Sequence, residues 1–210
     1  MQPELVLFDN PGSTNGLKVR ILLAELGLAA RVEPVPLTPE RPPQYLSIHP
    51  FGTVPCLVHG ELTITESNTI LRYLAGIAGR DDLHPGEPAA RARVDMLLDA
   101  LSLSLRPALW GLEEPLVYAL PVVDGELAAR RTALEAAMDG WERMLEANAP
   151  ALPELTIADI AMAGRLAHLE RLLDGTDPWP VTNRRLAAVR SRPAYAAAVA
   201  GSPFDRIASG

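Results

Sequence analysis

The chain has a single cysteine, Cys56, which excludes a disulfide framework and any metal site built from several thiolates. It has no excess of positive charge: 19 basic residues face 26 acidic ones, a net charge of −7, so the clustered Lys and Arg of a general nucleic-acid binder are missing. It has no apolar run near the roughly 20 residues of a membrane span. Met1-Gln2-Pro3-Glu4 lacks the basic and apolar regions of a secretory signal, so a cytoplasmic location is expected. The four histidines, His49, His59, His84 and His168, are scattered, and none lies at helical ligand spacing from another, which argues against a metal enzyme. What remains is ordinary for a globular protein of one to two domains: 210 residues, 48% hydrophobic and 21% charged.

The apolar pattern changes character near residue 79. Before it, strands and helices alternate. Leu5-Val6-Leu7-Phe8 reads as a buried strand that runs into the turn residues Asp9-Asn10-Pro11-Gly12. Val19, Leu22, Leu23 and Leu26 share a helical face, and Gly27 closes that helix. Arg31 to Val35 is predicted as a second strand, and the proline-rich stretch from Pro36 to Pro50 as irregular. Val54 to Val58 and Leu62 to Ile64 flank His59-Gly60-Glu61 as a hairpin. Ile70, Leu71, Leu74, Ile77 and Ala78 then mark another helix. Gly79 to Pro88 reads as a linker.

Beyond the linker only helices are predicted. Val94, Leu97, Leu98, Leu101 and Leu105 share one face, and Leu127, Leu134, Met138, Trp141 and Leu145 another. Thr156 is predicted as an N-cap with Asp159 as its capping-box partner, flanked by Leu155 and Ile160 as a hydrophobic staple. A last helix follows Pro193. The division places one domain over residues 1–79 and a second over residues 89–210.

Three short segments carry chemistry. Gly12-Ser13-Thr14-Asn15-Gly16 opens the first helix, where backbone N–H groups and small polar side chains stabilise an anion; the same residues also serve as ordinary caps. Val54-Pro55 enters a predicted strand, where proline suits either a plain strand start or a cis bond. A cis bond turns the Val54 N–H and C=O outward, to pair with an extended peptide as an added strand does. Thr65-Glu66-Ser67-Asn68 opens a helix. Ser67 offers a hydroxyl and an N–H to a carboxylate, and Glu66 a carboxylate to an ammonium, which together match an α-amino-acid head group; a solvated cap is the alternative.

These segments, taken with Lys18-Val19-Arg20-Ile21-Leu22-Leu23, His49-Pro50-Phe51-Gly52-Thr53-Val54-Pro55, Glu61 to Leu74 and Leu155-Thr156-Ile157-Ala158-Asp159, resemble the glutathione S-transferase family, nearest to its serine-dependent, phi-like and bacterial types. The resemblance covers most of the chain in the family's order. It implies an α/β plus all-α architecture, with a thioredoxin-like domain that binds glutathione and an all-helical domain that forms much of the second-substrate pocket. It implies a homodimer and a role in detoxification, while the acidic charge and short apolar runs make nucleic-acid and membrane partners unexpected. Ser13 is then expected to hydrogen-bond the glutathione sulfur, with Asn15 as a helper. Val54, beside cis-Pro55, is expected to pair with the cysteinyl backbone, and Glu66 and Ser67 to hold the γ-glutamyl head. Phe51 stands where some classes dock an aromatic into the partner subunit, and Thr156 and Asp159 match the family's helix cap. Leu105, Trp110 and Tyr118 are candidates for the second pocket or for plain core.

The departures narrow the mechanism. The first tyrosine is Tyr45, too late for a tyrosine-dependent enzyme, and no cysteine stands near Ser13. Cys56 reads as a buried strand residue with little redox capacity. Leu37 to Pro43 lacks the His-Lys pair that phi-like enzymes use for the glycine carboxylate, and Thr53 replaces the usual Gln or Lys, leaving Arg41 as the substitute. The expected reaction is conjugation of glutathione to small hydrophobic electrophiles. Glutathione-dependent disulfide or peroxide reduction is a second possibility, and a non-catalytic binding module a third.

Overall fold

A computed structural model of the chain describes residues 3–38, 40–118, 121, 124–167, 172–173 and 178–205. The first apolar run forms β1 (Leu5–Asp9), and the periodic stretch after it forms α1 (Thr14–Leu26). Then come β2 (Arg31–Pro34), the short α2 (Pro43–Leu46), β3 (Cys56–His59), β4 (Leu62–Ile64) and α3 (Ser67–Ile77). The strands make one mixed sheet in the order β2-β1-β3-β4. β1 pairs parallel with β2, Leu7 opposite Val32, and antiparallel with β3, Leu7 opposite Leu57. Two parallel neighbours require a crossover, which α1 supplies. This is a thioredoxin-like N-terminal domain, followed by a helical C-terminal part.

Ser13 caps α1 by accepting the Gly16 N–H at 3.0 Å, and Gly27, at φ +64°, ends the helix in the left-handed conformation that glycine adopts freely. The stretch expected to be irregular holds one helical turn, α2, with Pro43 at its first position, where a missing N–H costs nothing. Tyr45 on that turn is buried with Val35 and Cys56, and Phe8, Ile48 and Val54 pack around them. This small cluster backs the Val54-Pro55 edge.

The helical part comprises α4 (Pro88–Ala100), a π-helical turn (Leu101–Leu105), α5 (Arg106–Tyr118), α6 (Asp124–Asn148), a tight turn at Ala149–Ala151, α7 (Ile157–Arg165), α8 (Pro180–Arg190) and α9 (Pro193–Val199). Pro88 begins α4, and the Glu87 carboxylate caps it by accepting the N–H groups of Ala89 and Ala90. The expected stripe on α4 is buried as predicted. On α6, Leu134, Met138, Trp141 and Leu145 are buried, but Leu127, in the first turn of the helix, is exposed. α8 has no counterpart in the sequence reading.

α1 is walled by α3 on one side and by α7 and α9 on others. The approach to α7 is close: a Cβ at Gly164 would sit 2.7 Å from the Lys18 backbone nitrogen. α7 begins with the expected cap. The Asp159 carboxylate accepts the Thr156 N–H and hydroxyl, each at 2.8 Å, and is paired with Arg185. Leu155 packs on the core and Ile160 is buried within it. Across the two parts, Arg72 on α3 pairs with Asp95 on α4 at 2.6 Å, and Ile157 donates its N–H to Leu83 O at 2.9 Å. Among the described residues, no helix is long and apolar enough to cross a membrane.

Candidate active site

Two adjoining cavities run along the edge between sheet and helices. One, about 190 Å³, is lined by Ser13, Thr14, Asn15, Leu37, Arg41, Thr53, Val54, Arg106, Trp110, Glu113 and Arg165. The other, about 290 Å³, is lined by Asn15, Thr53, Val54, Pro55, Glu66, Ser67, Ser102, Leu103 and Arg106. They share Asn15, Thr53, Val54 and Arg106, so they form one groove. All six residues singled out in the sequence line it: Ser13, Asn15, Val54, Pro55, Glu66 and Ser67.

At the α1 end, Ser13 is nearly buried, and its oxygen accepts the Gly16 N–H. Accepting uses a lone pair and leaves the hydroxyl proton free to donate. Capping therefore leaves Ser13 able to donate. The α1 N-terminus adds its partial positive charge there. Gly16 is required by packing: a Cβ would lie 1.8 Å from Asp9 Oδ1. Among the described residues, the Asn15 side chain makes no hydrogen bond to protein.

The middle of the groove is the Val54–Pro55 bond, which is cis. The loop before it is held by His49, which is fully buried. His49 Nδ1 accepts the Phe51 N–H at 3.3 Å, and Nε2 lies 2.9 Å from Thr53 Oγ1. Burial holds the His49 pKa below its ordinary value, consistent with a neutral ring whose Nε2–H donates to Thr53. Tyr45 donates its hydroxyl to Thr53 O. Neither support stood out in the sequence, since His49 and Tyr45 lie in a proline-rich stretch without periodicity. Cys56, next along, is fully buried, and burial pushes its thiol up to about 11. It stays protonated at neutral pH, as its apolar setting suggested.

At the α3 end, Glu66 occupies the N-cap position with φ +63° and makes no side-chain cap bond. It is the one non-glycine residue of positive φ among the described residues. Strain of that kind, of order 1–3 kcal/mol, collects at functional sites. The solvated-cap alternative for Glu66 and Ser67 thus lacks its hydrogen bond. Asn68 behind them is buried. Its Oδ1 accepts from Lys18 Nζ at 2.7 Å, and its Nδ2 donates to Leu98 O at 2.7 Å and to Ser102 Oγ at 3.0 Å. Lys18 is fully buried, and burial first, then the nearby Arg165, lowers its pKa to about 7.

The helical part contributes charge that the sequence reading did not single out. Arg165 on α7 donates to Thr14 Oγ1 at 2.6 Å and pairs with Glu113 on α5 at 2.9 Å, with both side chains buried. Arg41 donates through Nε to Gly52 O at 2.8 Å and also to Thr38 O. Of the expected second-pocket residues, Trp110 lines the groove, whereas Leu105 is core at 1% exposed. The side chain of Tyr118 lies outside the described residues. One signal for Arg106 was present: it is the lone charged residue between Leu101 and Trp110.

Residues 3–76 match the family model of the glutathione S-transferase N-terminal domain. The chain is 31% identical to glutathione S-transferase 3 of Zea mays, over 95% of this chain and 95% of that one. It is 26% identical to maleylacetoacetate isomerase of Rattus norvegicus, over 89% of each. Its fold is similar to that of the glutathione transferase URE2P6 from Phanerochaete chrysosporium, solved in complex with oxidized glutathione, with a TM-score of 0.82 and 23% identity over 93% of this chain and 94% of that one. The full-length match to the maize relative, carried on a thioredoxin-like domain with helices behind it, establishes that the chain belongs to the glutathione S-transferase family.

Proposed function

We propose that the protein is a glutathione transferase that joins glutathione to small electrophiles through a thiolate stabilised by Ser13. One observation carries this reading: a single groove has at one end the Ser13 hydroxyl, its proton uncommitted among the described residues, and at the other the Glu66 carboxylate, which makes no cap bond, beside Ser67. In this assignment Glu66 and Ser67 receive the γ-glutamyl head, and Val54 pairs with the cysteinyl backbone. The sulfur lies by Ser13 with Asn15 beside it. Arg41, whose charge is met only by backbone carbonyls among the described residues, takes the glycine carboxylate in place of the absent His-Lys pair.

The chemistry follows from the hydroxyl. A thiol of pKa near 8.5 is only about 3% thiolate at pH 7. A hydrogen bond to the charged sulfur contributes roughly 1.5–3 kcal/mol, which lowers the pKa by about one to two units. The thiolate then attacks an electrophilic carbon. The remaining acceleration comes from holding that carbon against sulfur. Leu37, Val54 and Trp110 offer apolar surface for the body of the electrophile. Cys56, buried and protonated, offers no protein thiolate for redox work, which favours conjugation over a protein-thiol mechanism. Phe51, 86% exposed, is suited to docking against a second copy, and we include a homodimer in the proposal.

Calorimetry with reduced glutathione tests the first step: saturable heat is expected, and no heat at millimolar ligand sinks the reading. Turnover with a chlorinated aromatic against a mixed glutathione disulfide then separates conjugation from reduction.

A further inference from the structure

The cavity beside Ser13 is charged to an extent that a neutral apolar electrophile would not require. Arg41, Arg106 and Arg165 line it together with one acidic residue, Glu113. The three guanidiniums are differently committed. Arg165 is offset in place by Glu113, although its Nε has no hydrogen-bond partner among the described residues. Among the described residues, Arg41 meets only neutral carbonyls. Arg106 makes no hydrogen bond or ion pair among the described residues, yet it lines both halves of the groove.

Arg106 is delivered by an irregularity. The π-helical turn Leu101–Leu105 joins α4 to α5 and keeps Leu101 and Leu105 in the core. The same turn sets Ser102, Leu103 and then Arg106 along the groove. Such turns recur at functional sites because they re-aim the residues that follow. The positive field is felt nearby. Lys18 has burial as the first cause of its lowered pKa, with Arg165, Arg106 and Arg72 acting in the same direction and Glu66 against them. Burial lowers the Arg165 pKa, Glu113 opposes that shift, and Arg106 adds to it. An unpaired cation beside a desolvated pair is stabilised by an anion from outside the chain.

Resting on the glutathione reading above, we propose that the second substrate is an electrophile bearing a carboxylate, which Arg106 binds in the field of Arg41 and Arg165. The γ-glutamyl head belongs to the Glu66 end and the glycine carboxylate to Arg41, so Arg106 is left for the incoming molecule. In a displacement, the sulfur–carbon bond forms as the carbon–halogen bond breaks. Halide leaves with the electron pair, and the carboxylate is unchanged. Arg106 acts as a specificity residue, orienting the reacting carbon toward sulfur.

The test compares S-benzylglutathione with S-(para-carboxybenzyl)glutathione by calorimetry on the full chain, because product-like conjugates report the pocket without turnover. Wild type is expected to bind the carboxylated conjugate about tenfold more tightly, the range of a charge-assisted hydrogen bond at a partly exposed site. The preference is expected to shrink as salt rises. Arg106→Gln is expected to abolish it while affinity for glutathione itself moves less than about twofold, and Arg106→Lys to restore part of it. In turnover, para-chloro-meta-nitrobenzoate is expected to exceed its neutral carboxamide in rate enhancement over free glutathione, and Arg106→Gln to erase the difference. Equal affinity of wild type for both conjugates overturns the proposal. So does an Arg106→Gln variant that loses glutathione and the carboxylated conjugate by the same factor, which reassigns Arg106 to the glycine carboxylate. Failure of glutathione itself to bind refutes the underlying reading instead, so the two failures are distinguishable.

Discussion

Removing the Ser13 hydroxyl tests the mechanism most directly, provided that its cap is kept. Ser13→Ala loses both, because the oxygen also holds the Gly16 N–H and the cap alone is worth about 0.5–2 kcal/mol. Glycine at an N-cap costs only a few tenths of a kcal/mol, so Ser13→Gly removes the hydroxyl and nearly nothing else. If the hydroxyl lowers the bound thiol from about 8.5 to about 6.5, the thiolate fraction at pH 6.5 falls from about one half to about 1% in the variant, roughly fiftyfold. A thiolate released from its hydrogen bond is more nucleophilic. With a Brønsted coefficient of about 0.45, two units return roughly eightfold. The net expected loss of turnover is about sixfold at pH 6.5, vanishing at about pH 7.6 and reversing to about a sixfold gain by about pH 9, where both thiols are mostly ionised. The sign is fixed by the charged form: a donor to thiolate depresses the pKa, so its removal hurts at low pH and not at high pH. Ultraviolet difference absorbance of the bound thiolate gives the midpoint directly, and Ser13→Gly is expected to raise it by about one to two units. An unmoved midpoint refutes Ser13 as the activating group, whatever the turnover does.

Three further expectations concern the scaffold. Lys18 has its folded-state pKa lowered from 10.5 to about 7, so the unfolded chain binds the extra proton between those values and stability rises with pH there. Relative to Lys18→Met, the wild-type chain should gain on the order of 2 kcal/mol between pH 7 and pH 9 in urea unfolding; parallel pH profiles would refute an ammonium desolvated in this way. Asp159→Ala strips the α7 cap and leaves Arg185 without its buried partner, and should cost about 3–5 kcal/mol in thermal or denaturant unfolding. Gly164→Ala places a methyl against the Lys18 backbone and should cost about 1–3 kcal/mol, with glutathione affinity falling as α1 is displaced.

How legible the site was depended on how local its determinants are. Ser13, Asn15, Val54, Pro55, Glu66 and Ser67 all sit where a helix or strand begins, and punctuation of that kind is readable from a few neighbouring residues. The loop Pro36 to Pro50 hid its single helical turn, because four residues give no periodicity. α8 was missed for a related reason: its buried face includes Thr182, bonded to Glu142, beside Leu186 and Val189, so the apolar spacing is thin. The charged wall was illegible in principle. Arg165 reaches Thr14 across 151 positions of sequence, and only the packing of α7 on α1 brings them together. Arg106 depends on a π-helical turn that no hydrophobic period announces.

One consequence follows from α1 being walled by elements of both halves. The backbone that presents residue 13 is clamped from two directions, so remodelling one half in isolation does not reposition the Ser13 loop. Change in what the enzyme accepts has to enter at the rim, through positions such as Leu37, Thr53, Leu103 and Arg106, where side chains meet the groove without sharing in the clamp. Diversification in chemistry and constancy in framework are thereby assigned to different residues of the same chain.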